Sequence, residues 1–384
     1  MPNKEQHFIP RVYMKAWETT VETLKDPDIK FSGVYTFSDH TTGGNGANIK
    51  SVLWMPHLYT VRFTHRFICN KCPRIFEDFI EKIYKIMRED MTKPVYAQLG
   101  YSKIRTKNSI RKHLHEIDDW KFYYEDGNVA KQKAIMSNIQ AINNYVLEKA
   151  FDDLFEKRWE ASYNNFINEV KDGTPVAIGQ SERSISNQAA QEMLGLFFIM
   201  LCRSPYFTAM GIYDSIKANL LYPVFEKICI DSIDKDEAEI TEEDRKKAIA
   251  EGHCYIDEMM TGIWYSELYR MLFKNEGGFY HNIIEKVMSD CQMILFEAYS
   301  DAEHFITSDN PAFEHILKVT TENMNGFIFP ISPQYLLFIA KGSDKFNIVD
   351  HRYANSQTVR RFNQIIASHR HNLIIADSKY IHTR

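Results

Sequence analysis

The hydrophobic rhythm of the chain changes twice. From residue 76, Phe76, Phe79, Ile80, Ile83 and Met87 recur at steps of three and four, the spacing that lines one face of an α-helix. Helical patterning then dominates to about residue 290, with long segments predicted near 129–170, 184–221, 241–274 and 278–290. The most apolar of these stretches, residues 193–202, lies between Glu192 and Arg203. It is half the length a bilayer crossing needs, so a buried helix is predicted there. Thr241 stands where it can cap the helix that follows.

After residue 290 the runs shorten. Residues 293–299, 304–307, 326–329, 335–340 and 372–377 are brief apolar stretches closed by turn residues, which predicts buried strands. A helix is expected near 354–369. Toward the start, residues 31–37 read as a strand and the glycines at 43, 44 and 46 as a loop. The predicted class is α+β: a sheet built from N-terminal and C-terminal strands, with a large, mostly helical central insertion. The expected divisions are 1–73, contributing strands; 74–290, the helical body; and 291–384, completing the sheet, the three together forming one large composite domain.

Composition adds exclusions. Across 384 residues, 46 Lys and Arg oppose 51 Asp and Glu, a formal charge of −5, which rules out a globally basic nucleic-acid coat. With 44% hydrophobic and 25% charged residues the chain has the balance of a globular protein. Its six cysteines are mostly scattered, unlike a secreted disulfide framework. Lys4, Glu5 and Arg11 interrupt the start where a secretory leader would be apolar. The expected setting is the cytoplasm, with no membrane partner.

Two segments carry the densest polar chemistry. In the first, Gln6, His7, Pro10, Tyr13 and Trp17 crowd one terminus. His7 can serve as a general base, a metal ligand or a donor; equally, His7 and Tyr13 can anchor the terminus by satisfying buried backbone groups. In the second, Ser308, Asp309, Asn310 and Pro311 follow a predicted strand. Asp-Asn-Pro is a turn signature, and a carboxylate at a strand end is also well placed to bind a divalent cation or act as a base.

These two segments resemble the bacterial family known as domain of unknown function 4238, whose pattern opens on a Gln/His-x-x-Pro-x-x-Tyr element and carries a Ser-Asp-Asn-Pro turn near its end. Met14 stands where the family usually has Leu. Between the two lie His57, Leu58, Tyr59 and Thr60, then Arg203-Ser204-Pro205 where the family tends to Arg-Thr-Pro. Phe329, Pro330, Ser332, Pro333 and a helix centred on Asn363 complete the match. The resemblance implies a shared site and names no reaction.

Three further segments offer chemistry. Glu77 and Glu81 lie one helical turn apart and can share a cation, or be solvated with Glu81 pairing Lys85. Cys69 and Cys72, with His65 nearby, form half of a zinc site at most and read as adventitious thiols. Lys103, Arg105, Lys107, Arg111 and Lys112, flanked by Tyr101, Trp120 and Phe122, can hold phosphates and stack bases, or form a solvated helix face. The chain has no Walker loop, no G-x-G-x-x-G, no H-E-x-x-H and no G-x-S-x-G, and no NAD, flavin or haem signal.

Together these readings lead to the expectation of an intracellular hydrolase acting on a phosphodiester or phosphorylated substrate, a nuclease among the options. Its catalytic residues would be His7, Arg203, Asp309 and Asn310. Gln6, Tyr13, Lys107, Arg111 and Lys112 would bind substrate, and Asp309 and Glu77 would hold Mg or Mn. Nucleic acid or a nucleotide is the expected partner. The alternative is a non-catalytic binding or scaffold protein, or a nucleotide sensor, using the same cleft.

Overall fold

The computed structural model describes residues 5–23, 25–38, 43–56, 58–59, 77–89, 93–176, 181–204, 215–233, 241–273, 289–299, 303–319, 322–342 and 345–381. The described residues of His57–Ala150 and Thr208–Gly278 form one compact unit; those of Glu5–Pro56, Phe151–Phe207 and Phe279–Arg384 form the other. The class is α+β in both.

The larger unit is organised by a seven-stranded sheet. Its order is Phe313–Val319, Glu322–Pro330, Tyr335–Lys341, Cys291–Ala298, Ile348–Ala354, Glu182–Ser184, Thr174–Pro175. The central strand, Cys291–Ala298, runs antiparallel to Tyr335–Lys341 and parallel to Ile348–Ala354. Almost every residue of that strand is buried, as expected for a strand covered on both faces.

A second sheet joins the two ends of the chain. Lys30–Phe37 pairs with Ile374–Ala376 in the register Phe37↔Ile374, and Ile374–Ala376 pairs with Thr307–Ser308. The strand near 31–37 is expected to pair into the same sheet as strands from 293–340. It reaches only Thr307–Ser308, because that strand ends after two residues at the 308–311 turn and the chain then enters the larger sheet at Phe313. The glycine-marked loop also holds a strand, Asn45–Ala47, lying so close to Lys30–Phe37 that a Cβ at Gly33 would fall 2.3 Å from the Ala47 carbonyl oxygen.

Helices close both sheets on one core. Ser356–His369 is capped by Asn355, whose side chain accepts from Thr358 N–H. It buries Val359, Phe362 and Ile366 among Tyr35 and Phe37 of the second sheet and Ile294 and Phe296 of the first. Asn363, buried on the same helix, accepts from Ile306 N–H and donates to the His304 carbonyl, which pins the chain entering Thr307–Ser308. The apolar run 193–202 lies in the helix Asn187–Arg203, where Phe197 packs 5.2 Å and 5.8 Å from the rings of Phe327 and Phe329.

The smaller unit mixes helices with strands that the helical reading of 74–290 passes over. Ser102–Ile104, Val95–Leu99 and Lys121–Tyr124 form a three-stranded sheet, two of its turns made at Gly100 and Gly127 with positive φ. Each strand is three to five residues long, too short for an alternating pattern to stand out. Glu77–Arg88 carries the predicted stripe, with Phe79, Ile80, Ile83 and Met87 buried. Thr241 caps Glu242–Phe273 by accepting from Asp244 N–H at 3.1 Å. Phe76, His65, Cys69 and Cys72 and most of the expected helix at 278–290 lie outside the described residues. Among the described residues no helix is long and apolar enough to cross a membrane.

Candidate functional site

The N-terminal motif forms struts inside the larger unit. Pro10 precedes the short helix Arg11–Met14, so Tyr13 and Trp17 fall one turn apart on a single face. The Tyr13 hydroxyl donates to the Pro330 carbonyl at 2.7 Å and meets Thr307 Oγ1 at 2.6 Å. Trp17 Nε1 donates to the Phe305 carbonyl at 2.8 Å. Burial pushes the Tyr13 hydroxyl far above its ordinary value. Tyr13 and Gln6, expected to bind substrate, are fully buried, so neither presents a surface to a ligand.

His7 and Arg203 do meet, through main chain rather than ring. Arg203 Nη2 donates to the His7 carbonyl at 2.7 Å, Nη1 pairs with Glu156 Oε1 at 2.7 Å, and the guanidinium sits 4.6 Å from the Phe151 ring centre. At 2% exposure, Arg203 is a bracket between segments. Burial, then the charges of Arg11 and Arg203, lower the His7 imidazole to about 4. Unfolding releases that ring to protonate near its ordinary 6.5. The unfolded state therefore binds the proton first, and the His7 contribution, present above pH 6.5, is lost as pH falls toward 4. His7→Phe is expected to flatten this limb of the melting temperature against pH; an unchanged acid limb would assign it to other groups.

Asp309 and Asn310 belong to a separate network. The Asp309 carboxylate accepts from the backbone amides of His371, Asn372 and Leu373 at 2.9, 2.7 and 3.2 Å. Asn310 Nδ2 donates to the His369 carbonyl at 2.9 Å. Both residues thus tie the 308–311 turn to the end of the helix Ser356–His369, with each Asp309 oxygen already engaged. Glu77, the other expected metal ligand, lies in the smaller unit, where both oxygens take Arg111 Nη2 at 2.7 Å. Among the described residues no three His, Cys, Asp or Glu side chains gather as a metal would require.

The basic segment is divided between a strand and the helix Lys107–His113. Lys107 pairs with Glu81 and Arg111 with Glu77, while Arg105 pairs with Glu125 at 3.1 Å and lies over the Tyr96 ring. Lys112 is exposed. Carboxylates from the neighbouring helix thus occupy two of the three cations expected to bind substrate.

The feature best suited to chemistry is a cavity of about 1020 Å³ in the larger unit. Val12, Lys15, Glu160, His304, Ser332, Gln334 and Asp377 are on its wall. His304 Nδ1 donates to Asp377 Oδ2 at 2.5 Å. A carboxylate can only accept, so the proton is on Nδ1 and Nε2 is the remaining basic atom. That bond is the main cause holding the His304 imidazole above 6.5. His304 was read only as part of a strand run and Asp377 as the end of another. Their meeting follows from the register Thr307↔Ile375; carried three residues further it sets 304 against 378.

Comparison with known proteins gives one relationship. The family model described as protein of unknown function (DUF4238) matches residues 5–380. No curated protein and no solved structure matches.

Proposed function

The chain belongs to the family of proteins of unknown function DUF4238, and from its cavity we propose that it is a hydrolase acting on a small phosphorylated molecule. The observation that carries this reading is the His304–Asp377 pair on the wall of a cavity of ligand size. His304 Nε2 takes a proton from water as the water oxygen bonds to phosphorus and the bond from phosphorus to the leaving oxygen breaks; Asp377 orients the ring and balances its charge; His304 then returns that proton to the leaving oxygen. Lys15, on the same wall, opposes the phosphate charge.

The test is phosphate release from p-nitrophenyl phosphate and its diester, with and without Mg or Mn. His304→Ala is expected to lower the rate by about a hundredfold while changing the melting temperature little, since the side chain is 52% exposed. For wild type the rate should climb as pH rises through a value above 6.5, because a base must be unprotonated. Asp377→Asn should move that limb to lower pH. An unaltered rate in His304→Ala would sink the assignment. A second reading, binding without turnover, is favoured by the structural engagement of Tyr13, Arg203 and Asp309. Ligand-induced stabilisation with no phosphate release would select it.

A further inference from the structure

Tyr299 and Tyr353 form an aromatic ladder at the edge of the cavity. Tyr299 follows the central strand Cys291–Ala298, and Tyr353 lies on the adjacent parallel strand, where Ala298 is opposite Ala354. Their rings stack at 5.5 Å and 10°, and Tyr353 continues to His351 at 5.1 Å. Glu297 anchors the far end, its Oε2 2.8 Å from His351 Nε2. Tyr299 ends the ladder: it is on the cavity wall, and among the described residues Tyr353 is its ring partner. Both tyrosines are half exposed, at 50% and 60%. A rigid exposed stack of this kind adds little to the core and is well suited to receive another flat ring.

The polar groups beside it are fixed by the same network. Gln334 Nε2 donates to Glu297 Oε1 at 3.1 Å, so the amide cannot turn over, and its oxygen is the atom left for a ligand. Ser332 Oγ accepts from Tyr335 N–H at 3.1 Å and from the Tyr163 hydroxyl at 3.2 Å, leaving its own hydrogen to donate. Gln334 and Ser332 are both on the cavity wall. One oriented acceptor and one oriented donor beside a stacking face match the edge of a nucleobase, and Lys15 supplies charge for a phosphate.

We infer that the cavity takes a nucleotide, its base continuing the Tyr299–Tyr353 stack and its edge meeting Gln334 and Ser332. The inference rests on the hydrolase reading only for the fate of the phosphate; recognition of the base stands apart from it.

The experiment is calorimetric titration of the full chain with AMP, GMP, CMP and UMP, with ribose 5-phosphate as the arm lacking a base and maltotriose as the arm lacking both base and phosphate. At least one nucleotide is expected to bind ten times or more tighter than ribose 5-phosphate. Tyr299→Leu, which keeps bulk and loses the ring, should weaken that nucleotide about tenfold and leave ribose 5-phosphate unaffected, while Tyr299→Phe retains wild-type affinity. Gln334→Leu should change the ranking of the four bases. Equal affinity for nucleotide and ribose 5-phosphate, preference for maltotriose, no nucleotide binding at millimolar concentration, or indifference to Tyr299→Leu would each overturn the inference. Nucleotide binding without phosphate release would instead defeat the hydrolase reading and leave this one standing.

Discussion

Asp309→Ala is expected to cost about 3–5 kcal/mol of stability, seen as a fall in melting temperature on the order of 10 °C. The residue is 1% exposed. Its carboxylate is the acceptor for three successive amides, those of His371, Asn372 and Leu373, and its own N–H donates to the Leu373 carbonyl at 3.0 Å. Truncation removes the acceptor of all three part-buried donors at once, and each group left unsatisfied costs about 1–3 kcal/mol. The loss also loosens the register between Thr307–Ser308 and Ile374–Ala376, and with it the approach of His304 to Asp377. Asp309→Asn keeps one acceptor oxygen and should lose about half as much. Differential scanning calorimetry of both variants beside wild type measures this. A wild-type melt in Asp309→Ala would show that the three amides find other partners and that the carboxylate is free for another role.

That result bears on how a site is read from sequence. Polar residues clustered at a terminus and a turn suggested convergence on a ligand, and they do converge, but on main chain. Tyr13, Trp17, Asp309 and Asn363 each bond a backbone group far away in sequence, the anchoring alternative that spacing alone left open. Buried strands at 31–37, 293–299 and 335–340 were legible because apolar runs closed by turns are a local signal. So were the cap at Thr241 and the buried helix over 193–202. The split into two sheets was not, because it depends on where a two-residue strand stops. Nor were the short strands between Val95 and Tyr124. His304 and Asp377 escaped for a related reason: neither sits in a motif, and the two meet only through the antiparallel pairing of Thr307–Ser308 with Ile374–Ala376. The only warning was that each flanks a short apolar run.

The second large effect is expected at Arg203, and it reaches the cavity. Arg203→Met removes the bonds to the His7 carbonyl and to Glu156 Oε1 together with the stacking on Phe151. It leaves Glu156, 19% exposed, with an uncompensated charge. Breaking a buried pair from one side costs about 3–5 kcal/mol, whereas removing both charges costs much less. The double variant Arg203→Met with Glu156→Gln should therefore be more stable than Arg203→Met alone, a coupling that a double-mutant cycle of thermal melts measures directly. Because Glu156 is also on the cavity wall, the single variant places an unbalanced negative charge beside the ligand. Phosphate-bearing ligands should weaken in Arg203→Met and recover in the double variant. The titration of His7 should shift too: the Arg203 charge helps depress it, so without that charge the ring protonates closer to 6.5 and the acid-dependent loss of stability shrinks. Additive losses in the cycle would mean that Arg203 acts through the His7 carbonyl alone, and that Glu156 reaches solvent well enough to do without its partner.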